Sequence, residues 1–201
     1  MISVGLVDYG IGNVRSLRKS LLKLEYDAIV SNEVNVLAEK DILILPGVGQ
    51  FSFAMNSLKK YYLDEFIINY TKNKPIIGIC LGMQLLTDSS IELVKSKGLG
   101  LIPGNIIQLP NKKHHIGWNT ISVTNNNSFL KQFEKCQFYF NHGYYFNGNE
   151  KYSQSKSSFG EEFTSIIKKD NVIGFQFHPE KSQVHGLRLI SKTINYLIKE
   201  Y

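Results

Sequence analysis

The sequence predicts a three-layer α/β fold: a mostly parallel central sheet with helices on both faces and additional antiparallel strands. Three observations predict it. Short, fully apolar runs alternate with amphipathic helical stretches through the first half of the chain, the rhythm of a parallel sheet buried on both faces. Each of those runs stops at a turn containing glycine or at the edge of a helix. The second half then changes to short strand candidates separated by polar turns, which is the pattern of antiparallel pairing.

Residues 2–7 form the first strand, broken by Asp8-Tyr9-Gly10-Ile11-Gly12-Asn13. Val14, Leu17, Leu21 and Leu24 follow at helical spacing, with Arg15, Arg18, Lys19 and Lys23 on other faces. A second buried strand, Asp41-Ile42-Leu43-Ile44-Leu45, ends at Pro46-Gly47-Val48-Gly49. Residues 53–70 read as one helix and Pro75-Ile76-Ile77-Gly78-Ile79 as a third strand. A helix carrying Met83, Leu85 and Leu86 then starts near Leu81. Downstream, residues 106–109, 120–123, 137–140, 163–167 and 172–177 are strand candidates, and the polar stretch 147–158 reads as an exposed loop. Residues 185–199 close the chain as a helix with Leu187, Ile190, Ile194 and Leu197 aligned. There is no internal repeat and no linker-like segment, so residues 1–201 are expected to form a single domain.

Composition removes several function classes. Hydrophobic residues make up 43% of the 201 and charged residues 20%, an ordinary globular balance. The longest nearly apolar stretch, residues 75–86, is interrupted by Gln84 and falls short of the roughly 18 residues a membrane span needs. Residues 1–8 lack a basic leader and carry an early acid, so no secretory signal is expected. Two cysteines, Cys80 and Cys136, make neither a disulfide framework nor a cysteine-rich zinc module, and a reducing, cytoplasmic setting is the expectation. The net charge of +6 invites a nucleic-acid reading, but it comes mostly from scattered lysines such as Lys59-Lys60, Lys112-Lys113 and Lys168-Lys169. Arginine, the usual fork for bases and phosphates, occurs only as Arg15, Arg18 and Arg188. No nucleic-acid partner and no membrane partner are expected.

The sharpest local feature is Gly78-Ile79-Cys80-Leu81-Gly82, with a buried strand before it and a helix after. G-x-C-x-G is the cysteine form of a nucleophile elbow, in which flanking glycines allow a tight strand-to-helix turn that presents the side chain. At the start of a helix, sulfur meets the positive end of the dipole, which favours thiolate. A small cysteine packed between two glycines is the plainer alternative. His178, in Phe177-His178-Pro179-Glu180, ends an apolar strand. Glu180 projects to the same side if the chain stays extended through Pro179. A carboxylate there would hold the imidazole tautomer and stabilise the imidazolium, as in other triads of nucleophile, base and orienting acid. Each feature alone has a structural explanation; two such features, each ending a buried strand, are hard to dismiss together.

These blocks resemble the class I, triad-type glutamine amidotransferases. Asp8-Tyr9-Gly10-Ile11-Gly12-Asn13, Leu45-Pro46-Gly47-Val48-Gly49, Gly117-Trp118-Asn119 and His178-Pro179-Glu180-Lys181-Ser182-Gln183 are similar, within that family, to the glutaminase subunits of imidazole glycerol phosphate synthases. The likeness runs from Val7 to the C-terminus. It implies the class I amidotransferase fold and a reaction in which Cys80 attacks the amide of L-glutamine, His178 moves the proton and Glu180 orients His178. It also implies an oxyanion site from the Leu81 N–H and the Gly47-Val48-Gly49 backbone. Gln84 and Glu92 match positions that hold the substrate, and His142, Gly143 and Tyr144 fall beside them. No cofactor and no metal are implied. The partner implied is a (βα)8 barrel cyclase that receives the ammonia, with Asn13, Arg18, Trp118, Tyr139 and Lys181 in the blocks facing it. Plainer readings are surface polar residues and half-buried aromatics.

The chain departs from the family at three places. His114 stands where proline is usual, Ile116 where methionine is usual, and Gly143 where a serine or threonine usually precedes the tyrosine. These spare the triad and bear on which acceptor the ammonia serves. The alternative is a paralogous glutaminase feeding a surface-sugar amidotransferase. A cysteine peptidase on a related sheet and an idle scaffold that only binds the barrel are further rivals. The adjacent His114-His115 pair does not make a metal site, since neighbours on a strand face opposite ways.

Overall fold

The computed structural model describes residues 1–124 and 128–201. The chain opens with β1 (Ser3–Val7), α1 (Val14–Lys23) and β2 (Asp27–Ser31). Asn13 starts α1 by accepting the Ser16 N–H on its side-chain oxygen at 3.3 Å, which satisfies one of the donors that a helix start leaves unpaired. After α2 (Val34–Ala38) comes β3 (Ile42–Leu45), all four residues buried. The helix expected over 53–70 is in fact two, α3 (Phe51–Lys60) and α4 (Leu63–Tyr70). Between them Tyr62 takes a left-handed conformation (φ 58°, ψ 23°), a turn on a non-glycine residue that costs about 1 kcal/mol and leaves no glycine or proline to be read. β4 (Ile76–Ile79) and α5 (Leu81–Leu85) follow.

The second half holds β5 (Thr87–Ser90), β6 (Ser96–Lys97), β7 (Ile102–Gln108), β8 (His115–Thr120), β9 (Ser122–Val123) and α6 (Ser128–Lys131). It continues with β10 (Gln137–His142), β11 (Tyr144–Gly148), β12 (Ser153–Phe159), β13 (Glu161–Lys169), β14 (Val172–Phe175) and α7 (Gln183–Glu200). The strand expected at 120–123 is the end of β8 and the whole of β9, parted at Ile121. Residues 147–158 are not an exposed loop: they include the end of β11 and most of β12, with Ser153, Gln154, Ser155 and Ser157 buried. Hydroxyl pairing makes this burial tolerable. Ser155 Oγ meets Ser165 Oγ at 2.8 Å, Thr164 Oγ1 donates to Ser153 Oγ at 3.2 Å, and Ser157 Oγ donates to Thr120 O at 2.8 Å.

Among the described residues, one sheet runs β2-β1-β3-β4-β14-β13-β11-β7-β5-β6, with β12 folded across β13 and β9. Its first five strands are parallel; β13 and β11 bring in the antiparallel part. β8 and β10 form a separate antiparallel ribbon. Alternate residues of the parallel strands go to opposite faces. Ile42, Ile44, Ile77, Ile79, Ile173 and Phe175 pack with Leu17 and Leu21 of α1 and with Leu189, Ile190, Ile194 and Leu197 of α7. Leu43, Leu45, Ile76 and Val172 pack instead with Leu37 of α2, with Phe51, Met55 and Leu58 of α3, and with Leu63 and Ile67 of α4. Fully burying each such side chain contributes about 1.5–3 kcal/mol, so the expected three layers are held from both sides. The register Leu45↔Gly78 and Ile79↔Phe175 aligns the carboxyl ends of β3, β4 and β14, where loops of a parallel sheet build sites. No helix among the described residues is long and apolar enough to cross a membrane.

Candidate active site

Cys80 sits at the carboxyl end of β4 with φ 53° and ψ −110°, a conformation that a side-chain-bearing residue holds only when its surroundings force it. Two close approaches force it here. A Cβ built on Gly82 would lie 1.8 Å from Leu45 O, and one on Gly78 would lie 2.7 Å from both Gly82 O and Met83 N. The two glycines therefore let α5 turn back directly against β3 and β4, and Cys80 is the residue left at the bend. Its N–H is tied across to Phe175 O at 2.7 Å. Leu81, first in α5, keeps an N–H that the helix cannot satisfy.

His178 follows β14 and is held by its backbone. Its N–H donates to Tyr139 O at 2.8 Å, and Ser182 Oγ donates to His178 O at 2.6 Å while accepting the Tyr139 N–H at 3.0 Å. His178 itself is extended (φ −101°, ψ 92°), but the chain does not stay extended through Pro179. Pro179–Lys181 form a single 3-10 turn, and that turn brings Glu180 to the ring, where Nδ1 donates to Glu180 Oε1 at 2.9 Å, both side chains being buried. Nδ1 is thus committed, and Nε2, buried and without a hydrogen-bond partner among the described residues, is the nitrogen left to exchange protons. Burial works to lower the imidazole pKa, but the adjacent Cys80 sulfur and the Glu180 carboxylate outweigh it and raise it well above the ordinary histidine value. The Cys80 thiol lies 3.7 Å from Asn141 O, with its sulfur beside His178.

Cys80 opens into a cavity of about 370 Å³. Val48, Gly49, Gln50 and Leu81 line the side where an oxyanion would sit; Gly47 is buried just behind. Gln84 and Glu92 line it with His142, Gly143 and Tyr144, so the five residues singled out as substrate-binding share one cavity with the cysteine. Their engagements differ. Gln84 donates from Nε2 to Tyr144 O at 3.1 Å and to Gln176 Oε1 at 3.3 Å. Glu92 accepts the Phe51 N–H on Oε2 at 2.7 Å and so holds the start of α3, next to the Gly47-Val48-Gly49 turn. Both nitrogens of His142 are already used, by Tyr144 O and by His115.

The remaining expected residues split. Trp118 and Tyr139 are register partners on β8 and β10 with their rings edge to face at 6.1 Å, and Lys181 Nζ lies 5.8 Å over Tyr139; the three make one ladder beside the His178 backbone. Asn13 is the exposed cap of α1. Arg18 is not with the ladder: its Nε donates to Ala28 O at 3.0 Å, on the β2 side of α1. Sequence reasoning passed over Gln176, Asn141 and Ser182. Gln176 is fully buried with Nε2 4.0 Å from Cys80 Sγ, and the signal was a lone amide between two phenylalanines of a buried strand.

Two of the departures from the family pattern meet in space. A Cβ on Gly143 would lie 3.1 Å from His114 Nδ1, so the exposed His114 ring fills the room that a serine or threonine would need. Gly143→Ser is therefore expected to lose about 1 kcal/mol alone and to recover it in combination with His114→Ala, a coupling read by a double-mutant cycle on thermal unfolding. Strictly additive effects would show the two departures to be independent.

Comparison with known proteins gives a consistent picture. The family model for glutamine amidotransferase class-I matches residues 5–195. "Imidazole glycerol phosphate synthase subunit HisH" of Caldanaerobacter subterraneus subsp. tengcongensis is 43% identical over 201 residues, covering 98% of this chain and 98% of that protein. The protein of the same name from Aquifex aeolicus is 42% identical, covering 92% of each. Among solved structures, one described as a glutamine amidotransferase superposes with a TM-score of 0.77 at 16% identity over 98% of both chains. PurLQS from Thermotoga maritima gives 0.76 at 21% identity over 98% of this chain and 99% of that one. At those identities the structural likeness concerns the fold.

Proposed function

The chain belongs to the class-I glutamine amidotransferase family, and we propose on that footing that it is the glutaminase subunit of an imidazole glycerol phosphate synthase. It hydrolyses L-glutamine and passes ammonia to a (βα)8 barrel cyclase subunit in histidine biosynthesis. One observation carries the chemistry: an elbow cysteine, a histidine committed to a buried glutamate through Nδ1, and a cavity lined by polar groups all meet at the carboxyl ends of β4 and β14.

Cys80 sulfur attacks the side-chain amide carbon of glutamine, and the carbonyl oxygen becomes an oxyanion. The Leu81 N–H, placed at the start of α5, and the Gly47-Val48-Gly49 backbone, once its turn is completed, receive that charge. His178 holds the pair's proton on Nε2 as the sulfur attacks and gives it to the departing nitrogen; ammonia leaves and a glutamyl thioester remains. Water, deprotonated by the same Nε2, then attacks the thioester carbon, and the thiol returns as glutamate leaves. Glu180 holds the imidazole tautomer and stabilises its charged form. Glu92 takes the substrate α-ammonium, a charge-assisted bond. No metal or cofactor is required by this scheme. Residues 1–201 work as one glutaminase domain, in the cytoplasm.

The relatives named above are called imidazole glycerol phosphate synthase subunits, so the surface-sugar alternative is not favoured. The Trp118–Tyr139–Lys181 ladder, continuous with the His178 backbone, is the surface offered to the barrel. The Gly47-Val48-Gly49 turn makes the isolated chain a poor glutaminase, because its N–H turns inward only when the barrel carries its nucleotide. Glutamate release is expected to rise on the order of 10- to 100-fold when the cognate cyclase and its imidazole-precursor nucleotide are added, a coupling of ordinary allosteric size. Full speed from the chain alone would remove the coupling, and no stimulation by that pair would move the acceptor elsewhere.

A further inference from the structure

Behind the cavity lies a buried chain of polar groups that the mechanism above does not use. Tyr144 O can only accept, and it takes a hydrogen bond from His142 Nδ1 at 2.8 Å, so His142 carries its proton on Nδ1. His142 Nε2 is then an acceptor, and its partner at 3.2 Å, His115 Nδ1, must be the donor. His115 Nε2 in turn accepts from Asn119 Nδ2 at 3.3 Å. The amide orientation of Asn119 is fixed independently, since the same Nδ2 donates to Ser158 O at 2.8 Å and Oδ1 accepts the Thr120 N–H at 2.8 Å. Every member points the same way, from Asn119 to the Tyr144 carbonyl, with no donor or acceptor left over.

The His115 ring cannot turn out of this line. It is 3% exposed and stacked between Phe140 and Phe159, with centroids at 4.7 and 4.4 Å and planes within 20°. Burial pushes His115 down to about 4 and His142 down to about 3, so both rings stay neutral, as two rings that each accept a hydrogen bond must. The far end of the chain matters to the site because Tyr144 O also receives Gln84 Nε2. A carbonyl held by His142 thereby sets where the Gln84 amide stands in the cavity.

We propose that His115 is a positioning residue for the glutamine site. By donating from Nδ1 to His142 Nε2 it locks His142 in the tautomer that the Tyr144 carbonyl requires, and through it holds the wall formed by residues 141–144 and the Gln84 amide in register with Cys80. This role rests on the glutaminase reading for its substrate and on hydrogen-bond geometry for its form, and the two are tested separately.

His115→Phe keeps the aromatic stack and removes both nitrogens. In the complex with the barrel cyclase its KM for glutamine is expected to rise on the order of tenfold, the usual scale for a displaced binding wall. Alkylation of Cys80 by iodoacetamide, which needs no glutamine pocket, stays within about twofold of the parent. An unchanged KM, or an equal loss in both measurements, overturns the proposal. The second measurement needs no variant: long-range proton–nitrogen correlation spectra of the unaltered chain are expected to show His115 and His142 both as the Nδ1–H tautomer. Either ring found with its proton on Nε2, or doubly protonated at neutral pH, overturns the chain of bonds even if His115→Phe does not fold. A parent that releases no glutamate sinks the glutaminase reading alone, and the tautomers still decide the wiring.

Discussion

Cys80→Ala is expected to abolish glutamate release, by at least about 10⁴-fold, because no other group among those lining the cavity can form the thioester and the remaining contacts only bind and polarise. The fold should be indifferent to the change. Alanine occupies φ 53° with the same strain as cysteine, the side chain fills little of the core, and the backbone bond from residue 80 to Phe175 O is kept. A thermal unfolding scan alongside the glutamate assay separates the two effects. Residual turnover within tenfold of the parent, with normal unfolding, would mean that the nucleophile is another group and would falsify the triad as drawn.

Gly82→Ala carries the other large effect, and it falls on structure first. The added methyl would lie 1.8 Å from Leu45 O and 2.7 Å from Leu45 C, backbone atoms of a central strand packed on both faces. Neither can yield, so α5 must lift away from β3 and carry the elbow with it. Overpacking of this kind costs about 3 kcal/mol, which lowers the melting temperature of a chain this size by roughly 6–12 °C. Glutamate release should fall with it, since Cys80 is displaced from the cavity that holds its substrate. A melting temperature within about 2 °C of the parent would show that α5 moves freely and that the close approach does not fix the elbow.

The parts of the fold legible in the sequence are those where one signal dominated. β1, β3, β4 and β14 are apolar on both faces and end at turns or at a helix, and the apolar stripes of α1 and α7 repeat at helical spacing. What escaped was set by tertiary context. β2 is an edge strand of mixed burial, short enough to pass for a connection. The break at Tyr62 is imposed by packing rather than by a residue that prefers it. β12 is mostly serine with a glutamine and a lysine, weak strand formers whose burial depends on partners on β13 and β8 that no local window contains. The site divides the same way. Cys80 and His178 stood out because glycines and strand ends framed them, whereas Gln176 and Ser182 act through contacts to residues 92 and 43 positions away in the chain.

The serine-lined hairpin has a consequence of its own. A strand that faces a core with leucines tolerates sliding by two residues, because one methyl surface is much like another. β12 faces its neighbours with hydroxyls instead: Ser155 meets Ser165, Thr164 donates to Ser153, and Ser157 donates to the carbonyl of Thr120. A slip by one residue would turn Lys156 inward and tear it from Glu150 and Glu162. Through the Ser157–Thr120 bond the alignment of β12 also sets the seat of the ribbon that bears Trp118 and Tyr139.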